Sequence, residues 1–108
     1  MGSLFEKRCK PCEGGAQALQ PEETVGYMKE LAREWRVVDG VRIVREFTFK
    51  NFKEAMSFVN KVAALAEEEG HHPDIHIFYN KVGIELWTHA VGGLSDNDFI
   101  LAAKIDRL

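Results

Sequence analysis

No apolar run in this chain approaches the roughly 20 residues that cross a bilayer, which argues against a membrane-spanning helix. The first residues also lack the apolar core of a secretory signal, so a cytoplasmic location is the expectation. Basic excess is missing too: 14 Lys and Arg against 17 Asp and Glu leave a formal charge of −3. No basic stripe stands out to neutralise phosphates, and no nucleic-acid partner is expected. Cysteine is scarce, with one motif, Cys9-Lys10-Pro11-Cys12. A structural zinc takes four ligands, and the second pair is absent; the motif also lies outside any strand–helix unit of the thioredoxin type. It reads as plain thiols in a surface arm, with a metal shared with a histidine or another subunit as the alternative.

What is present suits one ordinary domain. The 108 residues are 45% hydrophobic and 29% charged, enough for a single core. Residues 1–20 hold Pro11 and Gly14-Gly15 without sustained periodicity, and read as an N-terminal arm tied loosely to a domain over 21–108. Pro21-Glu22-Glu23 opens a helix, since proline fits the first turn and acidic side chains suit the positive dipole end. Val25, Met28, Leu31, Ala32 and Trp35 predict one apolar face running to about Trp35.

Asp39-Gly40 then signals a hairpin turn, because this dipeptide accepts positive backbone angles. The strand after it runs on to Phe49. Asn51 with Glu54 caps a long helix to about Glu69, which Gly70 ends. Phe52, Ala55, Met56, Phe58, Val59, Val62, Ala63, Leu65 and Ala66 cover more of that helix than one sheet can bury, which predicts packing against another subunit, with packing against the N-terminal arm as the alternative. A second hairpin follows: a strand over 75–79, a turn at Asn80-Lys81, and a strand from Val82 to His89. Its Glu85, Trp87 and His89 fall on the face opposite Val82, Ile84 and Leu86. Ser95 with Asp98 caps a last helix. The expected fold is α+β, a four-stranded antiparallel sheet with helices on one face, in the order α-β-β-α-β-β-α.

The candidate chemistry lies in histidines. His71 and His72 follow a helix end, where the dipole favours protonated imidazole, and Pro73 stiffens the exit. With His89 on the sheet face they approach, three imidazoles share a pocket. Such groups, beside carboxylates, exchange protons near neutral pH and suit a dehydration or hydration. Glu67, one turn before His71, could reach it, and Asp98 could orient another ring. Histidines at helix ends also serve simply as caps. Four imidazoles, with His76, could instead hold a metal; adjacent histidines rarely aim at one ion, and no carboxylate or cysteine completes a recognised ligand spacing. His76, flanked by Ile75, Ile77 and Phe78, reads as structural.

Glu67-x-x-x-His71-His72-Pro73, Tyr79-Asn80-Lys81-Val82, Thr88-His89 and Gly93-Leu94-Ser95-x-x-Asp98 together resemble the pterin-4a-carbinolamine dehydratases. The resemblance runs from about Leu19 to Leu108 and includes Trp35 and Phe49-Lys50-Asn51-Phe52. It implies loss of water from a 4a-hydroxytetrahydropterin to give the quinonoid dihydropterin, with no metal or redox cofactor. By that resemblance His71 and His89 correspond to proton-transfer histidines and His72 to one that also holds substrate. Gly70, Trp87, Thr88 and Ala90 correspond to chain bordering the pterin, and Glu67 and Asp98 to pocket carboxylates. The resemblance implies association by joining sheets into homodimers, and often by packing second helices into homotetramers. Some relatives also act as dimerisation cofactors of a transcription activator, so a dimerisation or scaffolding module is the rival reading. The Cys9–Cys12 arm lies outside the catalytic pattern, and Trp87 sets a large aromatic beside His89.

Overall fold

The computed structural model describes residues 3–10 and 17–108. Three helices, α1 (Pro21–Met28), α2 (Phe52–Glu69) and α3 (Asp96–Ile105), alternate with four strands, β1 (Arg36–Val38), β2 (Arg42–Thr48), β3 (Asp74–Phe78) and β4 (Lys81–Leu86). The strands form one antiparallel sheet in the order β1-β2-β4-β3, so both hairpins meet at the central β2–β4 pair. This is the expected α-β-β-α-β-β-α order.

Strand parity sets the layers. Ile43, Val82, Ile84 and Leu86 point into one core shared with Ala55, Phe58 and Val62 of α2 and Phe99, Leu101 and Ile105 of α3. Registers Val44↔Glu85 and His76↔Gly83 place Val44, Glu85 and His76 on the opposite, helix-free face. The first hairpin turns through Asp39 (φ 55°) and Gly40 (φ 69°), the two positive angles its sequence invites. Asn51 caps α2 by accepting the Glu54 N–H at 2.9 Å.

Four local expectations need correction. The first helix stops at Met28, seven residues before Trp35. The Asp106 carboxylate explains the break: it accepts the Ala32 N–H (2.9 Å) and the Trp35 indole N–H (2.8 Å) while pairing with Arg45 (2.6 Å). Val25 points to solvent, 59% exposed, and Thr24 is buried in its place. The second turn is Tyr79-Asn80, with Phe78 pairing Lys81, because Asn80 is tied to Phe49 through both its backbone O and its side-chain amide. Strand β4 ends at Leu86, and His89 begins a short 3-10 turn (His89–Val91). Thr88 causes this by bridging back to Gly93, its N–H donating to Gly93 O at 2.7 Å.

Two further features bear on the site. Leu4, in the segment that reads as a loose arm, is 2% exposed and belongs to the core. Helix α2 buries Ala55, Phe58, Val62, Ala66 and Glu69 within its own subunit, one stripe at helical spacing. Alongside runs Phe52, Met56, Val59 and Ala63; Phe52 and Ala63 are exposed, Met56 is half-buried, and Val59 is half-buried at the border, packed against the subunit's own core. The apolar circumference of α2 is therefore divided between the subunit's own core and a second, open stripe.

Candidate active site

The site forms where α2 ends and α3 begins. Gly70 adopts φ 68° and stops α2; the N–H groups of Gly70 and His71 both turn onto Ala66 O, at 2.9 and 3.2 Å. His71 thus leaves the helical path at once. Its Nε2 lies 2.6 Å from Asp98 Oδ1. Asp98 stands in the first turn of α3, where the helix dipole favours a carboxylate, and it is fully buried. Its Oδ2 accepts the Ser95 N–H at 2.9 Å and the Thr88 hydroxyl at 2.8 Å. Thr88 Oγ1 is also 2.7 Å from Ser95 Oγ.

This arrangement has a chemical consequence. A buried carboxylate is tolerated only when its oxygens are satisfied, and here both are. A carboxylate accepts and cannot donate, so the His71 Nε2 facing it carries the proton. Nδ1 is then the nitrogen left to exchange a proton with a ligand. A ring held in one tautomer by a fixed carboxylate is the arrangement a histidine acid or base requires.

Of the other expected site residues, His72 and His89 are exposed and Trp87 is half-buried. His72 pairs with Glu67, both mostly exposed. The Trp87 ring stacks on the His89 ring, centroids 3.7 Å apart and planes 30° apart, and the indole N–H donates to Asp74 Oδ2 at 3.3 Å. Gly70 and Ala90 are exposed. His76 lies apart on the helix-free sheet face, 2.5 Å from Glu85.

The carboxylates are exchanged relative to the sequence reading: Glu67 meets His72, and Asp98 meets His71. The left-handed turn at Gly70 is the reason, because helical i,i+4 spacing no longer applies beyond it. Thr88, expected at the pterin border, is buried with its hydroxyl on Asp98. Among the described residues, no group of three or more His, Cys, Asp and Glu is arranged to hold a metal ion. No described helix is long and apolar enough to cross a membrane.

Three residues escaped the sequence reading. Glu69 is buried and accepts the Lys104 ammonium at 2.7 Å and the Cys9 N–H at 2.9 Å. Burial is the largest influence and pushes its carboxyl up, but Lys104, the Cys9 N–H and Arg8 together bring it below the usual range. Its helical spacing from Ala55, Phe58, Val62 and Ala66 was the available signal; the acidic run Glu67-Glu68-Glu69 masked it. Asn97 binds Lys10 through both its amide atoms, and nothing in the sequence indicates that. Asp106 carries the loop after α1. Cys9 is half-buried, and burial followed by the Glu69 charge pushes its thiol up to about 12. Its Sγ lies 3.5 Å from Asn97 O, the place of a neutral donor. Cys12 lies outside the described residues, so the paired motif does too.

Residues 17–108 match the family model described as pterin 4 alpha carbinolamine dehydratase. A family member from Alkaliphilus metalliredigens is 48% identical over 107 residues, covering 99% of this chain and 96% of that one. One from Nitrosomonas eutropha is 50% identical over 105 residues, covering 97% and 92%. Among solved structures, a Brucella melitensis protein described as a transcriptional coactivator/pterin dehydratase superposes with a TM-score of 0.78. It is 34% identical, covering 84% of this chain and 97% of its own. A pterin dehydratase-like protein described as a RuBisCO assembly factor in the alpha-carboxysome gives a TM-score of 0.60 at 27% identity, covering 69% and 88%.

Proposed function

This chain belongs to the pterin-4a-carbinolamine dehydratase family, and from that premise we propose that it removes water from a 4a-hydroxytetrahydropterin. The product is the quinonoid dihydropterin, which a separate two-electron reduction returns to the tetrahydropterin pool. The C4a–O bond breaks as the leaving oxygen takes a proton, N5 gives one up, and a C4a=N5 double bond forms. The sum is loss of water with no change of oxidation state, so no electron acceptor takes part.

The observation that carries this reading is the buried Asp98 that fixes His71. His71 is the principal proton-transfer group, acting through Nδ1. His89 serves near the leaving hydroxyl, and its stack on Trp87 supports that role by limiting the ring's freedom. His72, kept by Glu67, helps hold the substrate, and Gly70, Trp87 and Ala90 border the pterin. Thr88 and Ser95 act through Asp98 as positioning residues. Two proton-handling groups on either side of the reacting bond meet the needs of the elimination.

A homo-oligomer follows from the same reading. The open stripe of Phe52, Met56, Val59 and Ala63 on α2 favours a second copy of the helix, and the strand edges of β1 and β3 are open to pairing. The rival reading, a dimerisation or scaffolding module with little catalysis, draws on that stripe alone and leaves the Asp98–His71 arrangement without a purpose. Adding the protein to freshly generated 4a-hydroxytetrahydropterin separates the two. Faster dehydration than in buffer is expected, and a folded protein that leaves the rate unchanged contradicts the proposal.

A further inference from the structure

The family-model match begins at residue 17, and the relatives aligned over 97–99% of the chain extend through the folded segment 3–10 as well. That segment is anchored at one end by Leu4 in the core and by the Leu4 N–H, which donates to Glu30 Oε1 at 3.2 Å. The Arg107 guanidinium lies 4.2 Å over the Phe5 ring. From there the chain runs to the site's back wall. The Cys9 N–H donates to Glu69 Oε1 at 2.9 Å. The Lys10 N–H donates to Asn97 Oδ1 at 2.9 Å, and Asn97 Nδ2 donates back to Lys10 O.

Two consecutive peptide groups thereby hold side chains from two different helices. Glu69 is the last residue of α2, two before His71; Asn97 directly precedes Asp98 in α3. The segment therefore joins the helix end that launches His71 to the helix turn that carries Asp98. Lys104 adds a second tie between the same helices through Glu69. Both tied side chains are buried, so their bonds to the segment are shielded from competing water.

We propose that residues 4–10 are a positioning strap which, through Glu69 and Asn97, keeps His71 and Asp98 in register for proton transfer. The strap acts as a positioning element and not as a proton-transfer group. Its role lies in the 2.6 Å bond between His71 and Asp98, which spans the gap between the two helices it joins. Catalytic side chains must be held to within about 0.5 Å of their working geometry. The assignment rests on the dehydratase reading for its catalytic consequence, and on geometry alone for its effect on His71.

The test compares full-length wild type with Asn97→Ala, Asn97→Asp and Lys10→Pro. Asn97→Ala removes both bonds to Lys10, and Asn97→Asp keeps the acceptor for its N–H. Lys10→Pro deletes that N–H from the strap side, at a residue whose own side chain is exposed. Two readouts are taken: kcat and KM for dehydration, and exchange of the His71 ring N–H with solvent, followed by NMR. In folded Asn97→Ala, kcat is expected to fall about tenfold with KM little changed, since a 1 Å displacement can cost roughly 10²-fold. The ring proton should exchange at least several-fold faster, and Asn97→Asp should recover part of both effects. Lys10→Pro should repeat the Asn97→Ala result, and it decides the matter if that variant does not fold. Unchanged kcat and unchanged ring-proton exchange in either folded variant overturn the strap. Should wild type show no dehydration, the function proposal falls, and the ring-proton comparison still decides the strap by the same outcomes.

Discussion

Trp87 lies face to face with His89, ring centroids 3.7 Å apart, and its indole N–H reaches Asp74 on the neighbouring strand. The imidazole that the proposed chemistry places near the leaving hydroxyl is thus backed by an aromatic plate, itself fixed by a carboxylate of β3. Because β4 ends at Leu86 and His89 opens a 3-10 turn, the ring stack rather than strand parity relates the two side chains.

Aromatic pairs of this kind contribute about 0.5–1.5 kcal/mol beyond their buried area. Trp87→Ala should therefore lower kcat/KM for dehydration by about 2- to 10-fold, with Trp87→Phe closer to wild type. Steady-state kinetics of the three proteins check this. Equal kcat/KM in all of them would detach the stack from the reaction.

The Glu69–Lys104 pair predicts a particular acid sensitivity. The folded-state carboxyl of Glu69 sits below its ordinary value, while in the unfolded chain a glutamate titrates at about 4.3. A depressed folded value gives stability that is fully present above the unfolded value and is lost as pH falls through the folded one. Urea midpoints of wild type should drop from about pH 5 to pH 3 more steeply than those of Glu69→Gln. Parallel pH profiles would show that Glu69 contributes nothing to the acid slope.

Helix α2 separates two faces that its sequence presents as one. Val62 is fully buried in its own subunit, whereas Val59 borders the open stripe. Val62→Glu should abolish folding, because it places an unpaired charge in the core. Val59→Glu should keep native circular dichroism and shift the molecule to a smaller species in light scattering. A Val59→Glu protein with wild-type mass would remove α2 from the proposed interface.

The sequence was most legible where a local rule acts alone. Asp39-Gly40, the Asn51 cap, the Gly70 stop and the alternation of Val82, Ile84 and Leu86 all stand as read, since each follows from backbone preference or strand parity over a few residues. The histidines were singled out through the family resemblance, and their roles are proposals. Their carboxylate partners were not legible: Gly70 redirects the chain, so spacing gave Glu67 to His71 where the fold gives Asp98. The early end of α1 was hidden for a related reason. Asp106, far along the chain, binds Ala32 and Trp35 and overrides an apolar periodicity that ran on to Trp35. Leu4 shows the same limit, for no periodicity in 1–20 announces a core residue. Long-range polar contacts leave little trace in a local window.

In the proposed reaction His71, fixed by buried Asp98, moves the proton during dehydration. The most direct measurement is the dehydration rate of freshly generated 4a-hydroxytetrahydropterin with wild type and with His71→Ala, each shown to be folded. Loss of at least ~10²-fold in kcat is predicted for removal of a general acid–base group. A folded His71→Ala protein that turns over substrate at the wild-type rate would contradict the account.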